Sequence, residues 1–472
     1  MIHYQDLELG EQSVASQSLP DDLELTDFWK IAPDQRKAIL REAIAKIHLW
    51  HFERNPSYRH TVSARGIGPS IHPSDFPRLL RPTAQTFKSY IEILQTPFPQ
   101  DCPQAFLSWL ADQLSIEIPR QRFDQFRSHY RSLEALLSDF ERVFADFGLE
   151  ILTSSGTSGR STIMVRDQEG IDKTVESFYL AFQRYFGMQA DHRAVFLMPQ
   201  KARIAMVRMA SFSVRRVGIP EDRIHFTIPF PAAPDVVRIR SGRIYRPGVQ
   251  GVVERRFLNP FMNWMNEHYV NPKAVQETIA LAKRAQSNGE KLLLFGGWVQ
   301  LHAVALELRR TQQSLCLAPG SLLGTGGGFK ERYLTPPAQI RLALRQTITL
   351  ADGAELPIKD TYGMAEGNWA AMQCRAGNLH IPPWIYAVTL DEDGAFVTDP
   401  AKDGLLAFFD PFGGGRLFPA FFRTADRMRL VNSDAFDIVP QPCPCGETGT
   451  YIAQDSIQRV DLIEEAGCAA QI

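Results

Sequence analysis

Between about residue 170 and residue 376 the chain alternates short apolar runs with longer helical patterns, and nothing else in it restricts the fold as strongly. Ala194–Met198, Val252–Val253 and Lys291–Phe295 are short apolar runs beside Gly or Pro, and read as strands. Residues 170–186, 272–288 and 299–312 carry apolar residues at helical spacing. Strands and helices taken in turn predict an α/β fold, because helical crossovers are what parallel strands need. The flanks differ. Residues 33–52 read as an amphipathic helix with Leu40, Ile44, Ile47 and Trp50 on one stripe, and helical patterning returns at 106–114 and 123–147. Five prolines between Pro56 and Pro82 punctuate an irregular stretch. After Gly377 the texture turns β-like: 385–390, 405–409, 428–430 and 450–452, separated by turns such as Asp393-Gly394 and Asp403-Gly404. The resulting expectation is a helical N-terminal region (1–100), an α/β core (101–376), a small β subdomain (377–454) and a tail (455–472).

Composition narrows the function. The 472 residues carry 51 basic and 53 acidic side chains, a net charge of −2, which excludes a dominating attraction to nucleic acid or an anionic membrane but not a local basic patch. No apolar run of about 18 residues is present, so no membrane span is expected. Met1–Leu19 lacks a basic start and an apolar segment, and six cysteines are too few for a disulfide framework. A cytoplasmic protein is the expectation.

The sharpest local feature is Thr153-Ser154-Ser155-Gly156-Thr157-Ser158-Gly159-Arg160-Ser161, directly after Ile151-Leu152. Its glycines permit a tight turn, and its hydroxyls and N–H groups can surround phosphate oxygens. It lacks the lysine of the P-loop, and a flexible Ser/Gly connector has the same composition. Three later segments join it: Leu323-Gly324-Thr325-Gly326-Gly327-Gly328-Phe329-Lys330, Asp360-Thr361-Tyr362-Gly363-Met364-Ala365-Glu366, and Phe422-Arg423-Thr424-Ala425-Asp426-Arg427.

In this order and at these separations the four segments resemble the core motifs of the adenylate-forming superfamily. The finer similarity is to the acyl-protein synthetases of bacterial luminescence systems and the related phenylacetate–CoA ligases. It is carried by the Ser-Ser-Gly-Thr-Ser-Gly loop, by Asn55-Pro56-Ser57-Tyr58-Arg59, by Gly377–Trp384 and by Cys443-Pro444-Cys445-Gly446. The resemblance implies the large domain of the adenylate-forming fold and joining of a carboxylic acid, fatty in that branch, to ATP as an acyl-adenylate. It implies that Ser154, Ser155, Gly156, Thr157, Ser158 and Gly159 hold the β- and γ-phosphates. Gly326, Gly327 and Gly328 would line the adenine and acyl side, and Tyr362, next to Gly363, would pack on adenine. Glu366 would hold Mg²⁺, and Asp426 would accept hydrogen bonds from the ribose. Ile457-Gln458-Arg459-Val460-Asp461 resembles the superfamily's hinge, which adds Arg459 to the nucleotide-binding set.

The same resemblance gives the tail a role. The luminescence synthetases carry a Gly-Cys near the C-terminus that receives the acyl group, and this chain has Gly467-Cys468. Cys468 is therefore the candidate acyl acceptor, passing the group to a reductase or a carrier protein, although Glu464 and Glu465 beside it would raise its thiol pKa. The superfamily's mobile C-terminal domain is not expected after residue 472. Three departures accompany the match: Thr162 stands where most members have lysine, Gln458 replaces the hinge glycine, and the catalytic lysine of the mobile domain has no counterpart. Lys330 and Lys359 are candidate substitutes for its charge. Two alternatives stay open: direct transfer to CoA or an acyl carrier protein with Cys468 inert, and a non-catalytic nucleotide- or acyl-binding subunit.

Cys374, His380, Cys443 and Cys445 form a possible Cys₃His set for structural Zn²⁺, against buried reduced cysteines as the plain reading. Eight arginines crowd the middle of the chain: Arg203, Arg208, Arg215, Arg216, Arg238, Arg240, Arg243 and Arg246. A charge-balanced surface explains them better than a dock for an acidic carrier. Phe295 and Trp298 are expected in the core, with His302 near an acyl pocket.

Overall fold

The computed structural model describes residues 24–154, 161–327, 333–412 and 417–460. Its centre is a nine-stranded sheet. Ile358–Gly363, Leu322–Gly326, Lys291–Phe295, His192–Pro199 and Ile224–Ile228 lie side by side and parallel in that order. Beyond Ile358–Gly363 the sheet continues antiparallel through Ala370–Gln373, Leu379–His380, Tyr451–Ile452 and Leu430–Val431.

The parallel strands Leu322–Gly326, Lys291–Phe295 and His192–Pro199 are almost wholly buried on both faces, and the alternation of side chains sorts them between two cores. Leu292 and Leu294 pack with the helices Asn271–Asn288, Trp298–Arg310 and Pro337–Thr347. Leu293 and Phe295 pack on the other side with Gln168–Ala181 and Ala205–Val217. Two covered faces explain why Lys291–Phe295 reads as an unbroken apolar run. Phe295 and Trp298 are core residues as expected, while the His302 imidazole meets the Tyr333 hydroxyl at 2.6 Å.

A second sheet joins Tyr386–Leu390, Gly404–Asp410 and Ala420–Met428 antiparallel, with Arg81–Pro82 parallel to the last. Its apolar residues Phe408, Phe409 and Phe421 share one core with Leu40, Ile44 and Ile47 of the N-terminal helix Pro33–Arg54. That helix starts on Pro33 at its first position, where a missing N–H costs nothing. Its buried stripe continues through His48 and His51, not through the expected Trp50. The segment Asn55–Arg59 is structural. The Asn55 side chain caps the next helix by accepting from the Tyr58 N–H at 2.8 Å and donates to the Gln113 carbonyl at 2.9 Å. The Tyr58 hydroxyl meets His48 Nδ1 at 2.9 Å.

Two readings of secondary structure are corrected. Val252–Val253 lies in a helix, Gly248–Val253, because the residues around it continue helical on both sides. The helix expected over 123–147 is interrupted. A short 3₁₀ turn, Arg120–Gln125, is followed by a fresh start at Leu133–Val143, where the Ser132 hydroxyl accepts from the Ala135 N–H at 3.2 Å.

Candidate active site

The expected phosphate loop hangs from an antiparallel hairpin, Glu150–Thr153 with Ile163–Arg166. The two ends of the loop are tied at its base: the Ser154 N–H donates to the Thr162 carbonyl at 3.2 Å, and the Thr162 N–H donates to Ser154 Oγ at 2.9 Å. Ser155, Gly156, Thr157, Ser158 and Gly159 themselves lie outside the described residues, as do Gly328, Lys330 and Cys468.

Thr162 has a second role. Its hydroxyl donates to Glu366 Oε1 at 2.9 Å, so the base of the loop meets the carboxylate at the end of the Asp360–Glu366 segment across 204 positions of sequence. A carboxylate with a hydroxyl beside it is a donor set of hard oxygens, which fits Mg²⁺. Behind this pair sits Arg166, which the sequence reading passed over. It is buried and stacks over the Phe418 ring at 4.7 Å, donates to the Ala365 carbonyl at 3.3 Å, and has the Glu366 and Asp410 carboxylates nearby. Burial pushes the guanidinium down to about 10, still far above neutrality. Its only sequence signal is a charged residue closing the otherwise apolar run Ile163-Met164-Val165.

The strands Leu322–Gly326 and Ile358–Gly363 bring the remaining residues alongside. Gly326 pairs with Thr361, and both strands end here, at the carboxyl edge where open α/β sheets bind ligands. Gly326 has little room for a side chain, since a Cβ would stand 3.3 Å from Met206 Sδ and 3.6 Å from the Phe295 ring. Gly327 needs glycine for a different reason, its φ of +83°. The Tyr362 hydroxyl donates to Asp426 Oδ2 at 2.7 Å. Burial first, then the Asp426 charge, raise the phenol well above its usual range, so it stays a neutral donor. Thr424 Oγ1 accepts from the Asp426 N–H at 3.1 Å, and Arg459 pairs with Asp426 across the short strand Gln458–Arg459. Ser154, Glu366, Gly326, Gly327, Tyr362, Gly363, Asp426 and Arg459 thus sit on adjoining elements. Lys359 is turned elsewhere: its ammonium is bonded to the Tyr185 carbonyl and faces the Phe186 ring.

The Tyr362–Asp426 bond carries a testable stability effect. Tyr362→Phe leaves a partly buried carboxylate without its phenol donor, and should cost about 2 kcal/mol. A melting temperature equal to that of the parent would show that the bond contributes nothing.

The four expected metal ligands converge. The donor atoms of Cys374, His380, Cys443 and Cys445 all lie within 4.8 Å of one another. Cys374 Sγ and Cys443 Sγ are 3.9 Å apart, and Cys445 Sγ is 3.3 Å from His380 Nε2. A tetrahedral zinc site with sulfur at about 2.3 Å has edges of roughly 3.8 Å. Asn378 Nδ2 donates to Cys443 Sγ at 3.2 Å and the Ala376 N–H to Cys374 Sγ at 3.4 Å, the kind of support that holds thiolate ligands in place. His380 is stacked on Tyr185 with ring centres 5.0 Å apart.

Six of the crowded arginines form ion pairs with nearby carboxylates. Arg203 meets Glu134 and Glu141, Arg208 meets Glu150, Arg215 meets Glu221, and Arg216 meets Glu176. Arg238 pairs with Glu254 and Arg246 with Asp101.

The family model "Acyl-protein synthetase, LuxE" matches residues 262–472. The long-chain-fatty-acid–luciferin-component ligase of Vibrio harveyi is 23% identical over 319 residues, 67% of this chain and 69% of that protein. The protein of the same name from Aliivibrio fischeri is 26% identical over 147 residues, which is 31% of this chain and 35% of that one. A 2-hydroxyisobutyryl-CoA ligase, solved with 2-HIB-AMP and CoA in the thioesterification state, shares the fold with a TM-score of 0.55. The match has 14% identity and covers 94% of this chain and 72% of that one. The same ligase in its postadenylation state gives 0.51 at 11% identity, again over 94% and 72%. In sequence the chain is thus similar to LuxE-type acyl-protein synthetases, most clearly over residues 262–472, and its fold is that of the 2-hydroxyisobutyryl-CoA ligase.

Proposed function

We propose that the protein is a ligase that activates a long-chain fatty acid with ATP and transfers the acyl group to its own Cys468. The observation that carries the reading is the contact between Thr162, at the base of the phosphate loop, and Glu366, beside the Tyr362–Asp426 pair. In the first step a carboxylate oxygen of the acid attacks the α-phosphorus of ATP, the bond to the leaving oxygen breaks, and acyl-AMP and pyrophosphate form. In the second, the Cys468 thiolate attacks the acyl carbon and AMP leaves, giving a thioester for an acyl-accepting partner such as a reductase or carrier protein.

The chain's own groups divide this work. The loop 154–159 would hold the β- and γ-phosphates and Glu366 the Mg²⁺ ion, which when bound neutralises phosphate charge. Thr162 fixes the Glu366 carboxylate, and Arg166 holds the segment behind it through the Ala365 carbonyl. Asp426 would receive the ribose hydroxyls, with Tyr362 fixing its orientation, while Met206 and Phe295 close off Gly326 as an apolar wall. Arg459 would lie at the nucleotide edge, and Lys330 would supply positive charge near the phosphates.

Cys374, His380, Cys443 and Cys445 would hold one Zn²⁺. Four protein ligands leave no open position, so its part would be to fasten residues 443–445 to the sheet.

Intact-protein mass after incubation with ATP, Mg²⁺ and a series of fatty acids tests the relay. An acyl increment on the parent, lost with hydroxylamine and absent in Cys468→Ser, is the expected result. An increment that persists in Cys468→Ser would overturn the relay. Pyrophosphate release with no adduct would favour direct transfer to CoA or a carrier protein.

A further inference from the structure

The helix that begins at Gly248 runs without a break to Asn288, through two wide π turns at Glu254–Leu258 and Asn266–Val270. Each wide turn precedes an Asn-Pro pair, Asn259-Pro260 and Asn271-Pro272, where a proline lacks the N–H of a regular turn and crowds the carbonyl behind it. The two halves of the rod differ sharply. From Ala274 onward it buries a regular stripe on the sheet through Val275, Thr278, Ile279, Ala282 and Ala285. Before that only Gly251 and Glu254 are buried, the latter held by Arg238.

The projecting half is nevertheless apolar. Val249 is 81% exposed, Phe257 66%, Phe261 57%, Tyr269 58% and Trp264 46%. Trp264 stacks on Phe261 and His268 and meets Tyr269 edge-on, with centres 6.4, 5.3 and 5.3 Å apart, so the aromatics form one ridge. The exposed charges on the same stretch are Arg255, Arg256 and Lys273 against Glu267, an excess of positive charge.

We infer that residues 248–273 are a docking ridge for an anionic lipid surface, with the aromatic side chains at headgroup depth and Arg255, Arg256 and Lys273 on lipid phosphates. Three observations choose this occupant. A second copy would bring the same positive charge against itself, whereas anionic lipid complements it. The exposed apolar residues include the consecutive pairs Val252-Val253 and Phe257-Leu258, which point to different sides of a helix. A fluid interface closes around such a ridge, while a protein partner would need a matching groove. Trp, Tyr and Phe beside Arg and Lys is also the composition of helices that lie in the interfacial plane, and no described helix is long and apolar enough to cross a membrane.

The test is co-sedimentation of the full chain with vesicles of phosphatidylcholine and phosphatidylglycerol in equal parts, and of phosphatidylcholine alone. Binding to the anionic vesicles that weakens with salt is expected. It should fall about tenfold or more in the double variant Phe257→Ser/Phe261→Ser, because each exposed ring contributes buried apolar area. Both positions are on the surface, so the melting temperature should not move and a loss of binding reads the ridge itself. Absence of binding to anionic vesicles overturns the inference, and so does equal binding by the double variant. A concentration-dependent dimer that the variant abolishes, without vesicle binding, would assign the ridge to a second copy instead. The readout needs neither ATP nor an acid, so failure here and failure of the proposed ligase activity are separate results.

Discussion

Glu366→Gln should abolish most acid activation, lowering the rate of acyl-AMP formation by about a thousandfold. The substitution keeps the size of the side chain and leaves an amide oxygen to accept from the Thr162 hydroxyl, which in the parent donates to the carboxylate at 2.9 Å. The loop stem therefore survives, and with it the melting temperature. What goes is the negative charge that would hold Mg²⁺ against the phosphates. A bound metal supplies several kcal/mol of charge stabilisation at a phosphoryl centre, and about 4 kcal/mol is a thousandfold in rate. Thr162→Val makes the complementary cut, since it keeps the charge and removes the hydroxyl that aims it. One neutral-to-charged hydrogen bond of about 1.5–3 kcal/mol predicts a loss of roughly tenfold to a hundredfold. Steady-state rates across a range of Mg²⁺ concentrations separate the two. Excess Mg²⁺ should partly rescue Thr162→Val and leave Glu366→Gln inactive; full activity in Glu366→Gln would remove this carboxylate from the site.

The second large effect concerns stability. Protein purified without chelators should hold close to one zinc per chain by elemental analysis, and Cys443→Ser should lose it. The Cys374, His380, Cys443 and Cys445 donors converge from the end of Ala370–Gln373, from Leu379–His380 and from a turn near residue 445. Without a metal, that turn is joined to the sheet by weaker contacts such as Asn378 on Cys443. Loss of a structural metal is among the few single changes that reach about 4 kcal/mol. A melting temperature lowered by several degrees in Cys443→Ser, and unchanged in Cys316→Ser at an exposed free cysteine, is the expected pattern. Metal-free protein as stable as the parent would leave the cluster as reduced cysteines.

How far the sequence reveals this molecule depends on whether the relevant signal is local. Lys291–Phe295 was legible because a strand buried on both faces leaves an unbroken apolar run. The Asp360–Glu366 segment stood out through its resemblance to a family motif, and the structure sets its Glu366 beside Thr162. Val252–Val253 misled for the converse reason: two β-branched residues suggest a strand, while the helix continues on either side of them. Other contacts across long separations were not visible in the sequence. Thr162 reads as a missing lysine until Glu366 is found beside it, and Arg166 reads as one more surface cation until Phe418 and Ala365 enclose it. The arginine-rich middle shows the same limit. Arg203 finds Glu134 and Glu141 from a distant helix, a pairing that no window around position 203 contains. The projecting ridge is a further case, because apolar spacing on a helix says that a face is apolar and not whether anything covers it.

The reading of the site stands or falls on acyl-adenylate formation, and ATP–pyrophosphate exchange measures that step alone. Purified protein would be incubated with ATP, Mg²⁺, labelled pyrophosphate and fatty acids of increasing chain length. Because the first step is reversible, label should enter ATP only when a suitable acid is present, in Cys468→Ser as in the parent. No exchange with any acid, in protein that still binds ATP, would contradict the account and leave a nucleotide-binding subunit in its place.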